Sequence, residues 1–412
     1  MSEKLWTKDF ISITLVNFLM YIIHYSLIVT ITVFTIEEYQ ASEGMGGLAA
    51  GIFIIGMLFG RLYSGKYIDQ WQPKYILMIG LVASIATISL YFTIHSLAIL
   101  MIVRFLHGIA FGISSTSTGA IASKIVPENR KGEGIGYYAL STTVASAVGP
   151  FVGILINQHL GFEMNFTFCL AIIAVAFLMG LTIKKIEVAS LPKQEAQKQP
   201  EAEPAKGLDK YLQREALPIA FVAVFVGVAY ASVLSFLTAY AQEIDLVSVA
   251  SFFFMVYAVS TLVSRPFTGK IFDRFGENKV MYPSFISFVI GLAVLATATN
   301  GFLLLLSAVF IGLGYGTIIP SAQAIAVKSA PKEKIGLATS TFYMLADLGA
   351  GFAPFLLGML IPLVGYRNLY WLMGLLTIVV TGLYYVLHGR KARRERAVIK
   401  QERMHNQETV TN

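Results

Sequence analysis

The chain repeats itself at a fixed offset of 204 residues. Gly65-Lys66 and Asp69 recur as Gly269-Lys270 and Asp273, Arg61 as Arg265, and Gly108 and Gly112 as Gly312 and Gly316. The series continues through Ala120-Ile121-Ala122 and Ala324-Ile325-Ala326, Lys124 and Lys328, and Pro127 and Pro331. It ends at Pro150 and Pro354, with no gap in register from Arg61 onward. A repeat half a chain long means one structural unit built twice. Because 56% of the chain is hydrophobic and only 13% charged, that unit is not a soluble fold. It has the composition of a bundle of membrane helices, and a duplicated bundle places a path for small molecules between its halves.

The apolar runs fit this expectation. Counting stretches long enough to cross ~30 Å of hydrocarbon gives about twelve spans. They fall near 10–34, 47–63, 75–94, 97–122, 134–157, 164–183, 217–240, 247–265, 279–299, 301–326, 335–362 and 367–387. The expected fold is therefore an all-α membrane protein of two six-helix bundles, residues 1–183 and 217–388. The polar stretch 184–216 reads as a mobile cytoplasmic linker, because its alternating charges cannot bury a core. Residues 389–412 read as a basic tail held at the lipid surface. The outer connections, Glu37 to Gly46, Asn157 to Met164 and Gln242 to Asp245, are short, so recognition has to take place within the membrane. The first run is too long for the apolar region of a signal peptide and reads as the first span.

Net charge is +7, yet its distribution argues against nucleic acid. Of the 31 Lys and Arg, Arg104 lies inside a span and Arg367 in the last odd-numbered connection. The rest belong to the N-terminus, the even-numbered connections with their flanking residues, and the tail. Positive residues stay cytoplasmic during insertion, so both termini are expected inside the cell membrane. One cysteine, Cys169, excludes an internal disulfide and reads as a small buried residue.

Four stretches carry a resemblance. The connection after the second span reads Gly65-Lys66-Tyr67-Ile68-Asp69-Gln70-Trp71-Gln72-Pro73-Lys74. Its copy reads Gly269-Lys270-Ile271-Phe272-Asp273-Arg274-Phe275-Gly276-Glu277-Asn278-Lys279. This resembles the signature loop of the major facilitator superfamily. The copy keeps the Asp-Arg-x-Gly core, whereas the first loop has Gln70 and Gln72 where the family favours Arg and Gly. Arg104-Phe105-Leu106-His107-Gly108 is similar to the family's Arg-x-x-x-Gly pattern in the fourth span. Gly149, Pro150 and Gly153 look like the glycine-proline signature of its proton-driven antiporters, with Ala145 and Ile154 standing where glycines are usual. The resemblance implies a twelve-helix transporter of the drug:proton antiporter branch. It also implies a conformational latch formed by Arg61, Gly65 and Asp69 together with Arg265, Gly269, Asp273 and Arg274.

An ionisable side chain inside a span is costly, and so it is a functional candidate. Asp347 lies near mid-depth of the eleventh span, and the repeat pairs it with Thr143 in the fifth. Both are expected at the cavity between the halves. Arg104 and His107 share a helix face three residues apart. Arg104 stays charged and cannot carry a proton, but it suits an anionic group, a neighbour's pKa or backbone carbonyls. Asn17, Tyr21 and His24 line one face of the first span, with His24 a candidate proton site. A carboxylate in the middle of the first or fourth span, common in drug exporters of the superfamily, is absent. Neutral, zwitterionic or amphipathic substrates are therefore favoured over cations alone.

The expected activity is proton-coupled efflux of such molecules by a monomer that needs no cofactor or metal. Export of one dedicated metabolite, such as a metal chelator, is the narrower alternative. Import of a sugar, organic acid or peptide is the other. An enzyme, a receptor or an ATP-driven pump is disfavoured. The chain has no Gly-x-x-x-x-Gly-Lys-Ser/Thr loop, no paired Cys/His spacing and no motif that places a Ser-His-Asp set.

Overall fold

The computed structural model describes residues 4–67, 72–127, 130–184, 212–331 and 334–394. Among them there is no strand, and ten helices are long and apolar enough to cross a membrane. They are α1 (Lys8–Tyr39), α2 (Glu43–Tyr67), α3 (Pro73–Leu90), α4 (Leu97–Ile125), α5 (Lys131–Thr182), α6 (Leu217–Glu243), α7 (Val247–Phe275), α8 (Asn278–Ala296), α9 (Gly301–Ser329) and α10 (Ile335–Tyr384). A short π-helical turn, Tyr385–Gly389, follows α10, and the helix then runs on through 390–394.

Two of the ten cannot be single spans. At ~1.5 Å per residue the 52 residues of α5 and the 50 of α10 would reach more than twice the ~30 Å hydrocarbon core. Each is broken once, at Gly161 (φ 82°) and at Gly365 (φ 75°). Only glycine adopts this left-handed region without steric cost. Divided there, the described helices make twelve segments. Gly365 follows Gly161 by the same 204 residues as the sequence repeat.

The repeat also sets where helices begin. The first residues of α2, α4 and α5 recur 204 positions later as those of α7, α9 and α10. The capping chemistry is copied with them. Ser96 Oγ accepts the Ile99 N–H at the start of α4, and Asn300 Oδ1 accepts the Leu303 N–H at the start of α9. Each side chain satisfies one of the four N–H groups that a helix start leaves without a partner.

Several expected boundaries move. Residues 157–164 are helical apart from Gly161, and the connection between α1 and α2 is only 40–42. The helix-forming run at Ile271 and Phe272 extends α7 well past 265, so Asp273 and Arg274 lie in its last turn and not in a loop. Gly276 (φ 85°) ends the helix, its N–H bonded to the Phe272 carbonyl at 2.9 Å. Residues 212–216 are packed, which corrects the expectation of a mobile linker as far as Ala216. Gln213 and Ala216 are buried, and the Gln213 N–H bonds Thr341 Oγ1 at 2.9 Å. The tail is likewise helical as far as Arg394.

The structure divides into two compact units that do not follow the two chain halves. One holds the described residues of Met1–Pro204 with Ala231–Ala258 and Ala350–Tyr366. The other holds those of Ala205–Tyr230, Val259–Gly349 and Arg367–Asn412. Within the first unit, glycines bring backbones together. A methyl group at Gly47 would run into the Pro354 carbonyl, and one at Gly51 into that of Gly351. Gly56 and Gly60 of α2 meet the Phe105 and Ile109 carbonyls of α4, and Gly108 and Gly112 return the contact to Phe53 and Met57. Small residues of this kind are how membrane helices pack closely. Cys169 is fully buried in this unit.

Candidate functional site

In the first unit, α1, α2 and α4 build a polar and aromatic cluster around Phe53. Arg104, about two turns into α4, is 1% exposed. Its Nε donates to the Ala49 carbonyl at 2.8 Å, Nη2 reaches the Ala50 carbonyl at 3.5 Å and Nη1 the Tyr91 hydroxyl at 3.4 Å. The guanidinium carbon lies 4.7 Å from the centroid of Phe53, a cation–π arrangement. Arg104 has no carboxylate partner among the described residues. Its donors serve backbone oxygens of α2, the carbonyl-satisfying role named above as one of its options.

His107, one turn on, has Nδ1 3.2 Å from the Tyr91 hydroxyl and its ring edge-on to Phe53. His24 is stacked against Phe53 and Phe111, with centroids 5.0 and 5.1 Å away. Its Nδ1 is buried and meets no hydrogen-bond partner. Tyr21 completes the aromatic wall, edge-on to Phe111 at 5.1 Å.

Asn17 lies on the same face of α1 but belongs to a different network. Its amide donates to Ser141 Oγ (2.9 Å) and Thr142 Oγ1 (3.1 Å), and its oxygen lies 2.9 Å from the Tyr138 hydroxyl and 3.1 Å from that of Thr118. All four hydrogen-bonding positions of the amide are used, so Asn17 ties α1 to α4 and α5. Thr143 is half-buried and bonds the Ala139 carbonyl of its own helix at 3.4 Å. The antiporter-like glycines face α1: a methyl at Gly149 would strike Tyr25 and Ile22, and one at Gly153 would strike Ser26. Pro150 lies inside α5 between them, and the helix continues through it.

In the second unit, Asp347 is half-buried on α10, 12 residues after the helix begins. The helix runs close to α6 here, with Ala346 facing Gly227 and Gly349 pressed on Val224. In the same unit, Tyr230 of α6 and Tyr315 of α9 stack at 3.7 Å. Thr143 and Asp347, paired by the repeat, thus belong to different units.

The latch residues are only partly placed. Asp69 lies outside the described residues, Gly65 continues the α2 helix and Arg61 is half-buried. Arg265 and Asp273 are exposed on α7, and Asp273 makes no ion pair among the described residues. Gly269 has open space where a side chain would be, and Arg274 lies over Phe275 at 5.3 Å. The acid engaged at this end of the unit is Glu277, just before α8. It accepts from His388 Nε2 at 3.3 Å and pairs with Lys328 at 3.4 Å. The His388 hydrogen bond, aided by Glu277's own N–H and by Lys328, lowers its carboxyl to about 2 against the opposing effect of partial burial. Glu277, Phe53 and Tyr91 were not legible as site residues. A phenylalanine in an apolar run carries no signal, and Glu277 stands outside the Asp-Arg-x-Gly core.

Twelve apolar helical segments in a duplicated arrangement, with ionisable groups inside the spans, define a polytopic membrane protein of the transporter kind. The Major Facilitator Superfamily model matches residues 13–255 and 219–409, and the chain belongs to that family. It is a transporter of small molecules at the plasma membrane, not an enzyme. An uncharacterized MFS-type transporter of Methanocaldococcus jannaschii is 24% identical over 350 residues, covering 82% of this chain and 88% of that protein. The staphylopine export protein of Staphylococcus aureus is 21% identical over 355 residues, 84% of this chain and 87% of its own. The multidrug resistance protein MdtG of Citrobacter koseri is 22% identical over 357 residues, 85% and 86% of the two chains. Among solved structures, a bacterial homolog of the human lysosomal transporter Spinster aligns with a TM-score of 0.76 at 12% identity, covering 96% of this chain and 99% of that one. The nucleoside transporter NupG aligns with a TM-score of 0.74 at 14% identity, over 92% and 99%. These two likenesses establish the fold alone.

Proposed function

We propose that the chain is a proton-coupled exporter of small amphipathic molecules, working by alternating access between residues 1–183 and 217–388. The observation that carries this reading is a carboxylate, Asp347, half-buried near the middle of a spanning helix, where an ionisable group is costly unless used. Asp347 takes up and releases the proton, and His24, with its unused Nδ1, is the second candidate carrier. Arg104 and His107 hold the Phe53 cluster in place and Tyr21 walls it, while Asn17 and Thr143 serve the path from the neighbouring α1–α5 seam. Coupling requires proton and substrate to favour opposite orientations of the bundles.

Export is supported by the glycine-proline stretch at Gly149, Pro150 and Gly153 and by relatives that carry export and multidrug resistance in their names. The latch residues gate the cytoplasmic side, and Asp273, exposed and without an ion pair among the described residues, stands as a released latch would. Both termini lie inside, the working unit is a monomer, and no cofactor takes part. The test is accumulation of a fluorescent amphipathic dye in everted vesicles under an imposed pH gradient. Gradient-driven uptake is expected from the wild type and lost in Asp347→Asn. Uptake with unchanged pH dependence in that variant would contradict the assignment.

A second reading, export of one dedicated metabolite, rests on the similarity to the staphylopine exporter over most of both chains. It predicts transport of a single compound and no movement of unrelated dyes.

A further inference from the structure

Within the second unit, α8 and the end of α10 enclose an outward-facing groove of about 650 Å³. Two of its lining residues, Tyr282 and Phe285, pack against the buried Tyr384, with ring centroids 5.5 and 5.6 Å away. Its walls are apolar. Ile286 and Ile290 on one side and Ile378 and Tyr385 on the other are all exposed on helices that cross the membrane, so lipid is the medium they meet. The α8 residues that line it run from Asn278 to Ile290, about 18 Å of helix, close to the ~15 Å depth of one leaflet's hydrocarbon.

Two features show how the groove is made. Gly382 faces into it, and a side chain there would meet nothing within 4 Å. A glycine inside a helix costs about 1 kcal/mol relative to alanine, and no close backbone approach requires this one. What its missing side chain provides is space. The π-turn Tyr385–Gly389 closes the polar end, where Asn278 Nδ2 holds the Gly389 carbonyl at 2.8 Å. One turn beyond, Arg393 lines the groove on the stripe that carries Ile378, Gly382 and Tyr385. Arg393 is exposed and has no carboxylate partner among the described residues.

We propose that this groove is a binding site for an anionic phospholipid, with one acyl chain along the α8–α10 cleft and the phosphate held by Arg393. The length of one leaflet, the apolar walls and a single cation at one end fit that molecule. A soluble anion would leave the cleft empty, and a neutral lipid would leave Arg393 without its counter-charge. None of its lining residues is among those assigned to transport.

The test is native mass spectrometry of the full chain released from nanodiscs that contain equal amounts of phosphatidylglycerol and phosphatidylcholine with the same acyl chains. The wild type is expected to retain phosphatidylglycerol about fivefold over phosphatidylcholine, the worth of one juxtamembrane cation. Arg393→Gln should bring the two to parity. Arg394→Gln, one position round the helix, should leave the preference intact. Gly382→Leu fills the groove with a better helix former, so it should remove bound lipid of both kinds without lowering thermal stability. Three results would each overturn the proposal: no preference in the wild type, equal losses from the two arginine variants, or a full lipid complement on a folded Gly382→Leu protein.

Discussion

Glu277 and Arg104 illustrate two ways a charged side chain is accommodated here. Arg104 is wholly buried and spends its donors on the carbonyls of Ala49 and Ala50 and on Tyr91, so that its charge is spread over backbone dipoles and the Phe53 face. Glu277 sits at a helix start and accepts from His388 and Lys328. Its folded-state carboxyl, at about 2, lies below the ordinary 4.5. A depressed acid stabilises the fold fully above its unfolded value and loses that contribution as pH falls toward the folded one. Amide exchange at the start of α8 is therefore expected to speed up between pH 6 and pH 3, after correction for intrinsic rates. The change should be about tenfold, what one charge-assisted hydrogen bond supplies. Glu277→Gln should exchange fast at both pH values, and a wild type with equal protection at pH 6 and pH 3 would refute the pairing.

Among the helices, the glycines divide into those that permit contact and those that do not. Gly112 lies so close to α2 that any side chain meets the Met57 carbonyl, whereas Gly136 on α5 has nothing within 4 Å of an added methyl. Gly112→Val should cut the yield of folded protein severalfold, because overpacking costs about 1–3 kcal/mol and backbone is what must move. Gly136→Ala should leave the melting temperature unchanged or raise it, in line with a helix preference of up to ~1 kcal/mol. The reverse order in a thermal-melting comparison of the purified variants would show that these contacts do not hold α2 and α4 together. The repeat made Gly108 and Gly112 visible in the sequence, since both recur at Gly312 and Gly316. Their partners were not visible, because the atoms they touch are backbone oxygens that every residue carries. The same holds for Arg104: its position could be read, its carbonyl acceptors could not. Helix ends were read less well than helix centres. The loss of hydropathy near residue 265 hid the continuation of α7 to Phe275, and the polarity of Asn157 hid a chain that stays helical up to Gly161.

Across the whole molecule, one template has been used twice and then differentiated. Gly161 and Gly365 break the same helix, and Ser96 and Asn300 cap the same start. At Lys74, by contrast, an ammonium serves the Leu181 and Ile183 carbonyls, where its counterpart Asn278 serves Gly389 with a neutral amide. Thr143 and Asp347 differ more: the repeat gives one half a hydroxyl and the other an ionisable carboxylate at the same helical position. On the account proposed here, that asymmetry is where proton coupling resides. The most direct measurement is proton flux in proteoliposomes loaded with a pH-sensitive dye, after a transported amphipathic molecule is added on one side. The account predicts proton movement opposite to the substrate in the wild type. In Asp347→Asn that movement should be absent while the protein still binds substrate. Substrate transport without accompanying proton flux in the wild type, or undiminished flux in the variant, would contradict it.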